Sequence, residues 1–384
     1  MFTCAIGHSD DIDTADAVTA ALQICETRLG GATAQAALIF CGIDYDHAEV
    51  VRRVTERHPG IAFVGCTTDG ELSTDLAFTE ESVLIALFAS DTATFRSGVG
   101  HGLSTTPESA TSAAVASAAF GAEKPALVFV VSDGLTGSGD AVISGLRTAL
   151  GADVPIVGGA AGDKRRLRAT FQLHPQGVSQ DSVAVLAVYG PLQVSTGVES
   201  GWEPLGKRVR VTKSSGHVVH GIDGKSALEF YRHYMGEYTR GATMPAYPLG
   251  VWPQNGDPFY VRSPIFIQED TGSVIFSGAV AEGSEVQMMQ VDRPNIGKGA
   301  RASIAAAIGS FPGGAPSVVF VVSCTTRNEM LGTQVSEEAR IVQAGAGDVP
   351  IFGFYAYGEY APAGPHQPAL FHNETCVTVA IGER

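Results

Sequence analysis

Three stretches of the chain share one order of apolar and polar positions. "ALIFCGID" (Ala37 onward) leads to "IAFVGCTTDGEL" (Ile61 onward), and "ALVFVVSDG" (Ala126 onward) to "VPIVGGAAGD" (Val154 onward). The third is "SVVFVVSCTTR" (Ser317 onward) followed by "VPIFGFYAYGEY" (Val349 onward). Each opens with an unbroken apolar, β-branched run, crosses a polar turn and a helix-like segment, and closes with a second apolar run. Runs without alternation are buried on both faces, as parallel strands are. The segments between them, "HAEVVRRVTERH" (His47 to His58), "SGDAVISGLRTAL" (Ser138 to Leu150) and "VSEEARIVQAG" (Val335 to Gly345), have helical character. The pattern predicts an α/β fold class: repeated strand-helix-strand units with right-handed crossovers, forming parallel sheets.

Every second run ends in glycines and an acid: Gly65/Gly70/Glu71, Gly158/Gly162/Asp163 and Gly353/Gly358/Glu359. The first strands end at Cys41–Asp44, Ser132–Gly134 and Ser323–Arg327. Ligands of parallel α/β units bind beyond the carboxyl ends of the strands. Both sets of polar residues are therefore expected along one sheet edge. There the glycines would admit a close backbone approach to a pocket, with the acids at its rim.

Between the second and third units the texture changes to an antiparallel, strand-rich segment. It alternates from Asp181 onward, enters a helix about Ser226–Met235, and continues as a meander turning at Glu269–Gly272. The division expected is a lead-in strand and helix over 1–31, one domain over 32–228 and a second over 229–384.

Composition narrows the function. The 384 residues carry a net charge of −15 and no block of basic residues beyond "DKRRLR", which argues against nucleic-acid binding. The N-terminus lacks a basic segment with a long apolar core, and no run of eighteen apolar residues occurs; a cytoplasmic protein without a membrane span is expected. Six scattered cysteines without CxxC spacing fit reduced thiols. "GKS" at Gly224–Ser226 lacks the first P-loop glycine, Val219 standing there, and no GxSxG or HExxH motif occurs.

Five motifs, in order, resemble the FIST family, proteins with a FIST N domain and a FIST C domain. They are "VGGAAGD" (Val157 to Asp163), "EPLGKRVRVT" with "GIDGKSALEFY" (Glu203 to Tyr231), "SCTTR" (Ser323 to Arg327), "GFYAYGEYAP" (Gly353 to Pro362) and "FHNET" (Phe371 to Thr375). His217, His220 and Lys225 depart from the family's usual Asn, acid and Pro. The resemblance implies the 32–228 and 229–384 domains are FIST N and FIST C. It implies a sensor in bacterial signal transduction, taking an amino acid or similar small metabolite and acting through a separately encoded partner such as a histidine kinase or cyclase. A haem-based nitric oxide sensor is the alternative it implies, with His217, His220, His233 and His372 as equal candidates for the iron.

The residues expected around the ligand are Arg327, Glu359, Tyr357, Cys324, Asp163, Glu71, His372 and Asn373. Arg327 would clamp a carboxylate bidentately, or instead pair with Glu338 or Glu359. Glu71, Asp163 and Glu359 would suit an ammonium group, and Tyr357 would shape the wall. Cys324, with His372 as base, offers nucleophilic chemistry in a hydrolase or transferase reading; a packed free thiol is the plainer one. Asp133 is expected to cap the helix that follows.

Overall fold

The structure, a computed structural model, describes residues 2–118, 123–236, 244–254 and 259–383. The first unit comprises β1 (Phe2–Ser9), α1 (Thr14–Leu29), β2 (Ala36–Gly42), α2 (His47–Arg57), β3 (Ala62–Thr68), the hairpin β4 (Glu71–Ser73) and β5 (Ala77–Thr79), and β6 (Val83–Ser90). The second repeats that order: β7 (Thr94–His101), α3 (Pro107–Ser117), β8 (Leu127–Ser132), α4 (Gly139–Leu150), β9 (Ile156–Ala160), hairpin β10 (Gln172–His174) and β11 (Gly177–Ser179), β12 (Ser182–Tyr189).

The third begins with β13 (Leu192–Glu199) and is interrupted by an insert. The insert holds β14 (Glu203–Ser215), β15 (Val218–Ile222), β16 (Lys225–Ser226), α5 (Ala227–Met235), β17 (Leu249–Trp252), β18 (Tyr260–Arg262), β19 (Pro264–Gln268), β20 (Ser273–Phe276) and β21 (Glu285–Gln290). The unit then resumes with α6 (Arg293–Ser310), β22 (Val318–Cys324), α7 (Thr325–Leu331), α8 (Ser336–Ala346), β23 (Ile351–Ala356), hairpin β24 (Gly358–Pro362) and β25 (Ala369–His372), and β26 (Cys376–Glu383).

Three sheets follow one plan: β1-β6-β2-β3-β10-β11, β7-β12-β8-β9-β24-β25 and β13-β26-β22-β23-β4-β5. The pairs β2–β3, β8–β9 and β22–β23 are parallel, as the strand-helix-strand pattern predicts. The sheets as wholes are mixed, which corrects the expectation of parallel sheets. The reason lies after each second strand, where the chain turns into a hairpin that leaves its own sheet. Hairpin β4–β5 joins β23, β10–β11 joins β3, and β24–β25 joins β9, so each unit lends a hairpin to a neighbour in a closed cycle.

Phenylalanines from all three sheets meet in one core, with Phe40 stacked on Phe354 at 4.3 Å and Phe129 edge-on to Phe320 at 5.5 Å. The outer faces pack under α1 and α2, under α3 and α4, and under α6 and α8. Burial on both faces explains the unbroken apolar runs. Gly65, Gly158 and Gly353 sit where a Cβ would fall 2.1, 1.8 and 1.8 Å from the carbonyl oxygens of Ile39, Val130 and Val321. These glycines admit the neighbouring parallel strand rather than a ligand.

The insert forms a curled antiparallel sheet around its own core. Its helix α5 starts on a capping box in which Ser226 and Glu229 exchange bonds, and its meander turns between β19 and β20 as the pattern predicts.

Candidate functional site

A cavity of about 1580 Å³ lies between the insert and the three-sheet body. Asp133–Gly137 after β8 and Cys324–Thr326 at the end of β22 line one side, with Tyr357, Phe371 and Asn373. Strand β19 lines the other, and its Ile265 and Phe266 are 52% and 59% exposed. The position beyond the ends of β8 and β22 is where parallel strand pairs place ligand sites.

Tyr357 is the hinge of the wall, standing between β23 and β24. Its hydroxyl donates to Asp163 Oδ1 and accepts from the Arg165 N–H at 2.8 Å. Burial, then the Asp69 and Asp163 charges, push the phenol pKa up, so it stays a donor. Asp163 also accepts from the N–H groups of Leu167, Arg168 and Ala169. Burial alone would raise its carboxyl, but these bonds hold it below the ordinary range. It thereby pins a loop in which Lys164, Arg165 and Leu167 adopt φ of 60°, 57° and 52°. Non-glycine residues are uncommon there, and such strain gathers at binding sites.

The pinned loop presents Arg165 to the cavity, in a 3.1 Å ion pair with Glu329 of α7. Both are partly exposed, 46% and 24%, so the pair is open to exchange.

Arg327 is elsewhere. It belongs to α7, not to a loop, and is wholly buried against Glu338, with Nε at 2.9 Å from Oε1. Its remaining donors go to the carbonyls of Ser200 and Ile296. Glu338 Oε2 accepts from Ser323 and from Tyr355. Of the two readings of Arg327, the geometry gives the pair with Glu338; the side chain is no part of the cavity lining.

The acids also depart from the expected rim. In the exchanged hairpins Glu71 lies opposite Phe354, Glu359 opposite Gly159, and Gln172 opposite Cys66. Each is one residue past its packing glycine, so Gln172, not Asp163, is the counterpart of Glu71 and Glu359. All three are fully buried. A hydroxyl at the start of the returning strand bonds each: Ser82 to Glu71, Ser182 to Gln172, and Thr375 to Glu359. Asp133 accepts from the N–H groups of Leu135 and Thr136 and so closes the turn after β8; it does not cap a helix as expected, because α4 starts further on, with Ser138 at its N-cap.

Cys324 lines the cavity floor, but burial, then Glu359 and Glu374, push its thiol pKa well up. His372 donates Nε2–H to the Ala361 carbonyl at 2.9 Å, and burial lowers its pKa to about 4. The ring is thus a neutral structural donor engaged away from Cys324. Iodoacetamide at pH 8 is expected to alkylate Cys324 at least about tenfold more slowly in the folded protein than in urea, because only thiolate reacts. Equal rates, followed by peptide mapping, would reveal an activated nucleophile.

Among the described residues, no histidine lines the cavity. His217 and His233 lie exposed on the insert, and His220 bonds Ser273 and Ser215. The cavity therefore presents no imidazole to a haem iron. Among the described residues no cluster of histidine, cysteine and acids is arranged to hold a metal ion, and no helix is long and apolar enough to cross a membrane.

Residues beyond those expected lie beneath and beside the floor without lining the cavity. Glu374 is buried behind Cys324 and Asn373, and the Ser263 and Thr326 hydroxyls face it without completing hydrogen bonds. Arg262, from the insert, reaches Asp140 at 2.7 Å and Asn373 Oδ1 at 3.4 Å, tying insert to body. Glu374 falls inside "FHNET", the one available signal.

The profile of the FIST N domain matches residues 35–225, and that of the FIST C domain residues 227–362. An uncharacterised protein of Methanocaldococcus jannaschii is 28% identical over 159 residues, 36% of this chain and 30% of its own length. An uncharacterised protein of Mycobacterium tuberculosis is 24% identical over 230 residues, 56% of this chain and 59% of that one. The chain thus spans less than two thirds of these relatives. The crystal structure of a cyanuric acid hydrolase from A. caulinodans covers 100% of both chains at a TM-score of 0.42 and 11% identity.

Proposed function

The chain belongs to the FIST family, its FIST N and FIST C domains taking up most of its length, and on that premise we propose that it is a small-ligand sensor whose cavity between insert and body holds the signal. FIST domains are associated with sensing and signal transduction and form a sensory rather than a catalytic family. The observation that carries the reading is the position of the cavity. One wall comes from the insert and the other from the ends of β8 and β22, so one ligand contacts both bodies.

A ligand that touches both favours the arrangement in which both walls reach it, and shifts the population toward it. The output would pass to a separately encoded signalling protein, such as a histidine kinase or cyclase, in the cytoplasm. We take the ligand to be an amino acid or a similar small metabolite. Arg165 would bind its carboxylate in place of Glu329, with Tyr357 and Asp163 holding the loop that offers it.

The test is thermal unfolding against a panel of amino acids and small metabolites. A ligand at about 100 times its Kd is expected to add roughly 2.7 kcal/mol of stability. Arg165→Ala is expected to weaken a carboxylate ligand about tenfold, or roughly 1.4 kcal/mol, without loss of fold. No rise in melting temperature with any compound would sink the reading.

A further inference from the structure

The three unit junctions are built alike but satisfied differently. The residues preceding those three hydroxyls, Ser82, Ser182 and Thr375, are Glu81, Asp181 and Glu374. Glu81 faces outward and pairs with Lys164, and Asp181 accepts from Ser104 and Thr136. Asp181 and Glu374 share the left-handed region, at φ 48° and 64°, but Glu374 alone of the three is fully buried, and neither of its carboxyl oxygens has a hydrogen-bond partner.

Its neighbour in the cycle repeats the pattern. Glu71 uses both oxygens, on Thr68 and Ser82, whereas Glu359 satisfies Oε2 on Thr375 and leaves Oε1 unpartnered. Asn373 Nδ2, on a side chain 1% exposed that lines the cavity, is unpartnered too. Among the described residues, every buried carboxylate oxygen without a partner belongs to Glu359 or Glu374. Fold does not demand a carboxyl at 359, because Gln172 serves in the equivalent place.

The charges do not balance either. Arg262 is paired with Asp140, Arg327 with Glu338 and Arg165 with Glu329. Glu359 and Glu374, like Glu71, have no cation of their own, and these two lie beneath a floor of Cys324, Thr326 and Asn373. Buried carboxylates need a counter-charge or a proton. The absence of a metal-holding cluster among the described residues points away from an inorganic ion and toward directional N–H donors.

We propose that this floor is an ammonium subsite, taking the protonated amine of a ligand whose apolar body lies along Phe371, Tyr357 and Ile265. This rests on the reading of the cavity as the ligand site. The ammonium donates to Glu359 Oε1 and to Glu374, while Asn373, whose Oδ1 is engaged by Arg262, keeps its free Nδ2–H for an acceptor on the ligand. A proton held by the carboxyl pair leaves to solvent as the already protonated amine binds, so charge is conserved in the pocket. The ionisable and charged groups facing the pair are Cys324, Cys376, Tyr231, Arg327 and Glu329, with Arg262 reaching Asn373.

Titration calorimetry at pH 7 with butylamine, benzylamine and phenethylamine, each against its alcohol, tests this. Phosphate and HEPES serve as buffers of different ionisation enthalpy. At least one amine is expected to bind about tenfold or more tighter than its alcohol, with an observed enthalpy that differs between the buffers. Glu374→Gln and Glu359→Gln are each expected to cost that amine about tenfold or more in affinity, to remove the buffer dependence and to leave the alcohol unchanged. Gln172 shows that the second variant suits the fold, and circular dichroism checks both. Amines and alcohols binding alike would overturn the subsite, as would stabilisation by carboxylates or neutral metabolites alone; the latter result leaves the sensor reading standing. Failure of every compound, panel included, overturns both.

Discussion

Arg327→Ala is expected to lower the stability of the fold by about 3–5 kcal/mol, read as a fall in the urea midpoint at unchanged m. The side chain is 0% exposed and Glu338 1%, so the pair has no solvent to fall back on. Burial would lower the guanidinium pKa, and the Glu338 carboxylate more than offsets it, so the arginine stays charged. Truncation strands that carboxylate on Ser323 and Tyr355 alone and leaves the Ser200 and Ile296 carbonyls without their donor. The cost is therefore that of a buried unpaired charge, not of a lost surface bridge. Arg327→Met with Glu338→Leu removes both charges and is expected to recover most of the loss. Wild-type stability with reduced ligand affinity would instead make Arg327 a binding residue. A loss under about 1 kcal/mol would likewise sink the structural account.

The sequence left Arg327 open between a ligand carboxylate and a pair with Glu338 or Glu359, and only its burial against Glu338 decides between them. Its partner is eleven residues on, in another helix, and its other acceptors are backbone carbonyls, which leave no mark in sequence. The three units were legible because strands buried on both faces write unbroken apolar runs, and Tyr357, Cys324 and Asn373 do line one cavity. The exchange of hairpins was not legible. Strand β4 is three residues long, and its choice of β23 over β3 is settled by packing between units. That same exchange buried Glu71 and Glu359 and misaligned Asp163, since an eleven-residue loop (161–171) precedes the second hairpin where the others turn at once. Glu374 stood in view inside "FHNET", but only the shared register sets it beside Glu81 and Asp181 as the buried one.

The exchanged hairpins lead to a second large effect, a gain of stability from removing a charge. Burial pushes the Glu71 carboxyl pKa up to about 8, against the hydroxyls of Ser82 and Thr68, which favour the anion. An unfolded glutamate loses its proton near 4.5. Between those values the folded chain holds a proton that the unfolded chain has released. Stability therefore falls as pH rises from about 4.5 to about 8, and is untouched by this group below that window. Glu71→Gln abolishes the loss, and Gln172 shows an amide accepting from the equivalent serine. The variant is expected to match wild type near pH 5 and to exceed it by on the order of 3 kcal/mol at pH 8. Glu374, raised to about 8 by burial, imposes the same slope, while His8 and His372, lowered to about 4, cost stability as pH falls below 6.5. The measurement is accordingly the difference between variant and wild type in urea midpoints across pH 5 to 8, in which those groups cancel. A difference that stays flat across the range would mean that Glu71 is already ionised in the fold, its two hydroxyl donors outweighing burial.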